Sequence, residues 1–410
     1  MRSAIVLGAG MVGVGTALHL QQRGWSVILV DRGAPGRETS YGNAGIIQSE
    51  AVEPYAMPRD WASLFAIATG RSNDVHYEVG ALPRHLGALL RYWWHSAPRR
   101  HESAARAYAS LIAHAAPEHA GLIEEAGAAD LVRRGGFRVL HRAARAMDAG
   151  VAEAERLRAR YGVRSRVLSP AELGAAEPAL KATGAGAIHW EDPWSVRDPG
   201  ALVAAYAALF TRRGGTLRQG EADSLAPSGR GWRVATADGP VEAEAAVVAL
   251  GPWSPDLLRR FGYRVAMVRK RGYHRHWRSR RTLALPLLDA QNGTVLAPMA
   301  AGLRITTGAE LSRPEAAIDP VQLARAEAAA RDLVDLDGPR ENAPWSGTRP
   351  CMPDLLPVIG AAPRHPGLWF HFGHGHQGFT LGPASGRLLA EAMSGETPFV
   401  PAAPFSPGRR

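Results

Sequence analysis

Ala4-Ile5-Val6-Leu7-Gly8-Ala9-Gly10-Met11-Val12-Gly13 is the stretch that decides the fold. The unbroken apolar run Ala4 to Leu7 reads as a strand buried on both faces, as in a parallel sheet. A helix follows through Arg23, with apolar Met11, Val14, Ala17 and Leu18, and Gly24 ends it. A second apolar strand, Ser26 to Val30, delivers Asp31 and Arg32 at its end. In such a unit Gly8 makes the tight turn, Gly10 admits a pyrophosphate against the backbone, and Gly13 lets helix and strand pack closely. The N–H groups at Gly10, Met11 and Val12 open a helix whose partial positive charge suits phosphates. Asp31 can accept hydrogen bonds from a ribose hydroxyl. A glycine-rich turn in some other α/β protein is the plain alternative; both strands, the helix and the acid in register argue against it.

The motif alone does not separate NAD from FAD. The loop Arg37 to Gly45 does so: Ser40, Asn43, Ala44 and Gly45 suit the ribityl chain and ring edge of a flavin, where an NAD domain would continue to another helix. Further along, Asp198-Pro199 caps and starts a helix that ends at Gly214. Ala245 to Leu250 reads as another buried strand, whose end offers Gly251 and Trp253 for a second nucleotide contact. Residues 101–131 and 147–161 read as alanine-rich helices, residues 262–311 as β-rich, and Pro320 to Leu333 and Ser385 to Met393 as helices. The expected architecture is α/β. A Rossmann-like FAD-binding domain is made of residues 1–85, 190–260 and 345–400. An inserted α+β substrate domain on a mixed, mainly antiparallel sheet is made of 86–189 and 261–344. A short tail, 401–410, follows.

Composition narrows the classes. The net charge is +10, yet lysine occurs only at Lys181 and Lys270, so the basic balance is arginine. Arginine and alanine excess together point to a biased genome composition, and no nucleic-acid recognition module is visible, so nucleic acid is not expected as a partner. The single cysteine, Cys351, permits no intramolecular disulfide and fits a reducing, cytoplasmic setting. No segment approaches the roughly 18–20 apolar residues needed to span a bilayer. The basic charge and the aromatic stretch around Trp93-Trp94 are compatible with peripheral contact at the inner face of a membrane. His371, His374 and His376 lie close together, but the glycines between them fix no common ligand face, so no metal is expected.

Taken with Arg271-Gly272-Tyr273, Trp345-Ser346-Gly347-Thr348-Arg349-Pro350, Pro353-Asp354, Pro357-Val358-Ile359-Gly360 and Gly373-His374-Gly375-His376-Gln377-Gly378, the sequence resembles the D-amino acid oxidase/dehydrogenase family of flavoproteins, most of all its bacterial D-amino acid dehydrogenase branch. The resemblance covers nearly the whole chain and implies FAD. Cys351 lies too close to Pro353-Asp354 to match the cysteine that binds flavin covalently in some relatives, so the FAD is expected to be non-covalent.

The resemblance also implies roles. Arg349 would hold the substrate carboxylate through its planar fork, and Tyr273 would lie at the substrate. Gly375, His376, Gln377, Gly378 and Thr380 would pass the flavin's pyrimidine edge. Gln48, Glu50 and Tyr55 would border the substrate, and His374, His376 or Tyr273 would assist proton removal. The implied reaction is dehydrogenation of a D-amino acid to the imino and then keto acid by hydride transfer to flavin N5, with electrons leaving to a quinone or other acceptor. Two alternatives stay open: a secondary-amine dehydrogenase acting on proline, hydroxyproline, sarcosine or glycine, and a flavin subunit of a hetero-oligomeric amine dehydrogenase. An NAD-dependent dehydrogenase would be colourless.

Overall fold

The structure is a computed structural model of the 410-residue chain. It describes residues 2–70, 73–313 and 315–409. The first strand, Ser3–Leu7, lies parallel to Ser26–Asp31 on one side and to Ala245–Val248 on the other. Thr216–Gln219 and Leu368–Phe372 extend this parallel sheet outward, and Val358–Ala361 closes one edge antiparallel. All four residues of Ala4 to Leu7 are fully buried, as their unbroken apolar run requires. One face of the sheet carries the helices Met11–Gln22, Pro199–Arg212 and Gly378–Ser394. The other carries the antiparallel meander of Ala226–Ser228, Gly231–Thr236 and Gly239–Ala243, whose Trp232 and Val234 pack onto Ile5, Leu7 and Val248.

Close approach is built into this domain. A Cβ on Gly13 would stand 1.8 Å from the Gly8 carbonyl oxygen, so helix and strand can meet only with glycine there. The same holds between the first and last helices. A Cβ on Gly15 would lie 2.8 Å from the Gly382 carbonyl, and one on Gly386 would lie 2.7 Å from the Gly15 carbonyl carbon. Asp198 caps its helix by accepting from the Ala201 N–H at 2.9 Å.

The second domain is built on a mixed sheet, eleven-stranded among the described residues and mainly antiparallel. Its spine is the long strand Val268–Ser279, which pairs with Gly302–Thr306, Ala309–Leu311, Leu336–Pro339 and Trp345–Cys351. Parallel pairs occur where Leu287–Asp289 meets Phe137–His141 and where Val75–Tyr77 meets Ala309–Leu311.

Several segments belong elsewhere than expected. Trp345–Cys351 pairs along seven residues of Val268–Ser279, so this stretch joins the large sheet and not the nucleotide sheet. Val75–Tyr77 does likewise. The helical region 101–131 is instead two helices, Pro98–Ile112 and Ala115–Ala126, and both pack on the last helix of the nucleotide domain. The reason is visible at His119, fully buried, which bonds Tyr206 Oη at 2.9 Å and the Phe379 carbonyl at 3.0 Å. The expected tail is docked: Phe405 is fully buried, and Arg409 donates to Asp354 at 2.9 Å and to the Leu356 carbonyl at 2.6 Å.

Gly13→Ala should therefore lower stability by about 1–3 kcal/mol, the ordinary cost of overpacking. A thermal or denaturant melt indistinguishable from wild type would show that the close contact is not rigid.

Candidate active site

A cleft of about 370 Å³ runs across the carboxyl ends of the parallel strands. This is where ligands of open α/β sheets lie. At one end Arg32 covers the Trp253 ring at 4.6 Å and donates to Glu38 at 2.6 Å. Asp31 accepts from the Ala9 N–H at 2.6 Å and the Gly33 N–H at 2.9 Å, which fixes its carboxylate at the cleft with lone pairs to spare. In the middle, Gly8 turns with φ +105°. The helix Met11–Gln22 has no side-chain cap, so its positive end opens onto the cleft beside Gly10 and Val12. Ser40 Oγ accepts from the Met11 N–H at 3.0 Å, and Asn43 Oδ1 holds the Gly45 N–H at 2.8 Å.

The far end is made by the large sheet. On Val268–Ser279 and Trp345–Cys351 the side chains alternate between faces. A Cβ on Gly272 would stand 2.8 Å from the Arg349 guanidinium, so positions 270, 272 and 274 share one face with Arg349. The missing side chain at Gly272 is what leaves the fork open. Arg349 donates to the Gly308 carbonyl at 2.8 Å and the Thr307 carbonyl at 3.2 Å. Two carbonyls thus aim the guanidinium and leave three of its five donors uncommitted. Burial lowers its pKa from the usual arginine value, and a guanidinium is the side chain that best keeps its charge in a protein. Trp345 stacks on His274 at 4.8 Å beside it.

The same alternation corrects Tyr273, which lies on the opposite face from Arg349. Its hydroxyl donates to buried Glu310, and the Asp319 N–H approaches it at 3.4 Å. Tyr273 still lines the cleft, although its hydroxyl is engaged by Glu310. His374 is also spoken for. Its Nε2 meets Ser385 Oγ at 3.0 Å, Ser385 meets His371 Nε2 at 2.8 Å, and His371 Nδ1 meets Thr16 Oγ1 at 2.6 Å. Burial drives the pKa of His374 down to about 3, so this chain of neutral groups joins the two helices to the sheet and His374 is a positioning residue. Among the described residues no group of His, Cys, Asp and Glu is arranged to hold a metal.

His376 is different. Its ring lies 5.1 Å from that of Tyr55 and lines the cleft. Burial first, then the charges of Arg349 and Lys270, push its pKa well below the usual value, so the ring is uncharged. Behind it a buried chain runs from Gln377 Nε2 to Gln48 Oε1 at 2.8 Å, and from Gln48 Nε2 to Glu50 Oε1 at 2.7 Å. Gln48 N–H donates to Thr380 Oγ1 at 3.1 Å. Burial raises the Glu50 pKa to about 7, and its Oε2 has no partner. Ala44, Gly45, Gln377 and Thr380, expected to touch the cofactor, form the layer behind the cleft wall instead. Residues the sequence reading passed over complete the far end: Trp345, and Tyr92 and Tyr108, which with the expected Tyr55 and His376 wall a side cavity of about 40 Å³. The aromatics of residues 54–100 were the available signal, but nothing local says which of them faces inward.

A glycine turn, an acid, an uncapped helix and a long cleft ending in an arginine define a dinucleotide-binding oxidoreductase. The sequence matches the model of the family described as FAD dependent oxidoreductase over residues 3–392, and the chain belongs to that family. It is 33% identical to a D-amino-acid oxidase of Bradyrhizobium diazoefficiens, over 100% of this chain and 99% of that protein. It is 30% identical to a D-amino acid dehydrogenase of Xylella fastidiosa, over 95% of this chain and 91% of that protein. The fold is similar to that of glycine oxidase from Geobacillus kaustophilus, with a TM-score of 0.75 at 22% identity and full coverage of both chains. The protein is an FAD-dependent enzyme acting on amino acids or amines.

Glu50 offers a pH test. Its folded pKa of about 7 stands above the 4.5 of an exposed glutamate. The protonated carboxyl therefore contributes stability that is present below pH 4.5 and lost as pH rises to 7. Relative to Glu50→Gln, the wild type should lose about 2–3 kcal/mol between roughly pH 5 and 8. A wild-type-minus-variant difference that stays constant across that range in denaturant melts would mean Glu50 ionises normally.

Proposed function

We propose that the enzyme oxidises the Cα–N bond of a D-amino acid, giving an imino acid that water converts to a keto acid and ammonium. The observation that carries the reading is Arg349, aimed from the large sheet into the ring end of the cleft and freed by Gly272. The D preference is supported by the curated relatives, which are a D-amino-acid oxidase and D-amino acid dehydrogenases.

The cradle fits FAD. Gly8, Gly10, Met11 and Val12 would hold the pyrophosphate, Asp31 the ribose, Arg32 and Trp253 the adenine end, and Ser40 and Asn43 the flavin side. When bound, FAD supplies the two-electron acceptor. Arg349 binds the substrate carboxylate by charge-assisted hydrogen bonds and so fixes the direction of the Cα–H. His376, uncharged at the same end of the cleft, accepts a hydrogen bond from the substrate amine and helps to orient it. The helix Gly378–Ser394 has no side-chain cap and presents its positive end to the same region, where it stabilises negative charge. Tyr55 stands at the mouth, half exposed.

Electrons then pass to a quinone or another acceptor. No helix among the described residues is long and apolar enough to cross a membrane. A surface carrying Trp61, Leu86, Leu90 and Trp94, all exposed, supports peripheral contact with the inner face of a membrane from the cytoplasm. Arg59 covers Trp93 at 3.7 Å and Arg100 covers Trp94 at 3.8 Å, a pairing suited to anionic headgroups. Binding to anionic vesicles should weaken as salt rises; no binding at low salt would rule this contact out.

Anaerobic addition of D-amino acids should bleach the flavin band while their L partners leave it unchanged. Arg349→Ala should lower kcat/KM at least about a hundredfold, mainly through KM, since a charge-assisted carboxylate contact is lost. Equal bleaching by both enantiomers would defeat the stereochemical reading, and unchanged kinetics in the variant would defeat the role of Arg349.

A further inference from the structure

The register of the large sheet places a second cation next to Arg349. Lys270 is its direct cross-strand partner, on the same face of the sheet. Like charges directly opposite each other on one face are destabilising, and this chain, which otherwise uses arginine almost everywhere, has a lysine here. No carboxylate among the described residues forms an ion pair with it. Its Nζ lies 4.5 Å over the Tyr92 ring and 3.4 Å from Tyr92 Oη. Tyr92 in turn is a wall of the side cavity that opens beside His376. The Lys270 charge acts on both His376 and Cys351, and the Arg349 charge acts on the same two residues. Both cations thus stand near His376 and Cys351, where the cleft meets the side cavity.

The other charged group near that space is Glu50, which acts on Tyr55 and Tyr108 in its far wall. Burial raises its pKa to about 7, so near neutrality it sets only part of one negative charge against the two cations. The space is left net positive. Tyr55, Tyr92 and Tyr108 line it, and the Tyr92 hydroxyl donates to the Tyr55 carbonyl at 2.6 Å.

We propose that Lys270 is a specificity-determining residue that binds a second anionic group on the substrate, so that the enzyme prefers acidic amino acids of aspartate or glutamate size. Arg349 takes the α-carboxylate and Lys270 the distal one. A dianion between them relieves the repulsion that the empty register imposes. This rests on the amino acid reading above for the α-carboxylate but not for the oxidation itself.

The test uses the FAD-loaded enzyme and two readouts. The first is binding without turnover: perturbation of the flavin spectrum by succinate and by butyrate, which differ in the second carboxylate. Wild type should bind succinate at least tenfold more tightly, and Lys270→Met should erase most of that ratio, while Lys270→Arg should restore part of it. The second is turnover. The kcat/KM ratio of D-aspartate to D-asparagine, and of D-glutamate to D-glutamine, should exceed ten in wild type and fall at least tenfold in Lys270→Met. Equal binding of succinate and butyrate, a ratio that Lys270→Met leaves unchanged, or a preference for D-lysine and D-arginine would each overturn the proposal. If succinate is preferred through Lys270 but no D-amino acid bleaches the flavin, the second-anion site stands and the oxidation reading fails.

Discussion

The guanidinium of Arg304 holds the two halves of the active site together. It projects from the large sheet, is almost wholly buried, and donates to the backbone carbonyls of Tyr41 and Asn43 at 2.8 and 2.5 Å. A cation removed from water is tolerated only when its donors are satisfied; burial alone brings its pKa down to about 10. Its Nε meets His276, and His276 meets Glu341 at 2.5 Å, so the charge is balanced at one remove. The loop it grips carries Ser40 and Asn43. The sheet it comes from carries Arg349. The distance from phosphate cradle to carboxylate fork is therefore held by this buried contact, between chain segments more than two hundred and fifty residues apart, together with the Thr39 hydroxyl, which donates to the Thr348 carbonyl at 3.2 Å.

What the sequence revealed and what it hid divide along physical lines. The strand, glycine turn, helix and acid from Ala4 to Asp31 were legible because each depends on neighbours a few residues away: apolar runs, φ at Gly8, close approach at Gly13. The Asp198 cap was legible for the same reason. The direction of Tyr273 was not. In a strand a shift of one residue exchanges the faces, and the register of Val268–Ser279 against Trp345–Cys351 is fixed only by tertiary pairing. Lys270 was hidden by the same parity. The placement of Pro98–Ile112 and Ala115–Ala126 on the nucleotide domain hangs on His119 reaching Tyr206 and Phe379, which no local pattern announces.

The three closely spaced histidines show how burial sorts one residue type into different tasks. His371 and His374 are enclosed, uncharged and joined through Ser385, so they act as hydrogen-bonding struts. His376 lies only partly covered beside two cations and an aromatic ring. Its neutrality comes from that company as well as from burial. Sequence spacing makes the three look equivalent; the sheet, the helix and the cleft give each a separate environment.

The backbone contact between the helices Met11–Gln22 and Gly378–Ser394 has a consequence for how the molecule comes into being. The first helix of the nucleotide unit rests on the last, with Gly15 against Gly382 and Gly386. Leu368–Phe372, which supplies His371, completes the sheet from the same late region. A nascent chain whose helix Gly378–Ser394 has not yet emerged lacks one wall of the cradle, however complete its opening motif. Cofactor capture must then wait for that helix, and the early segments wait with their apolar faces uncovered until it arrives, the interval in which such a chain is most open to aggregation.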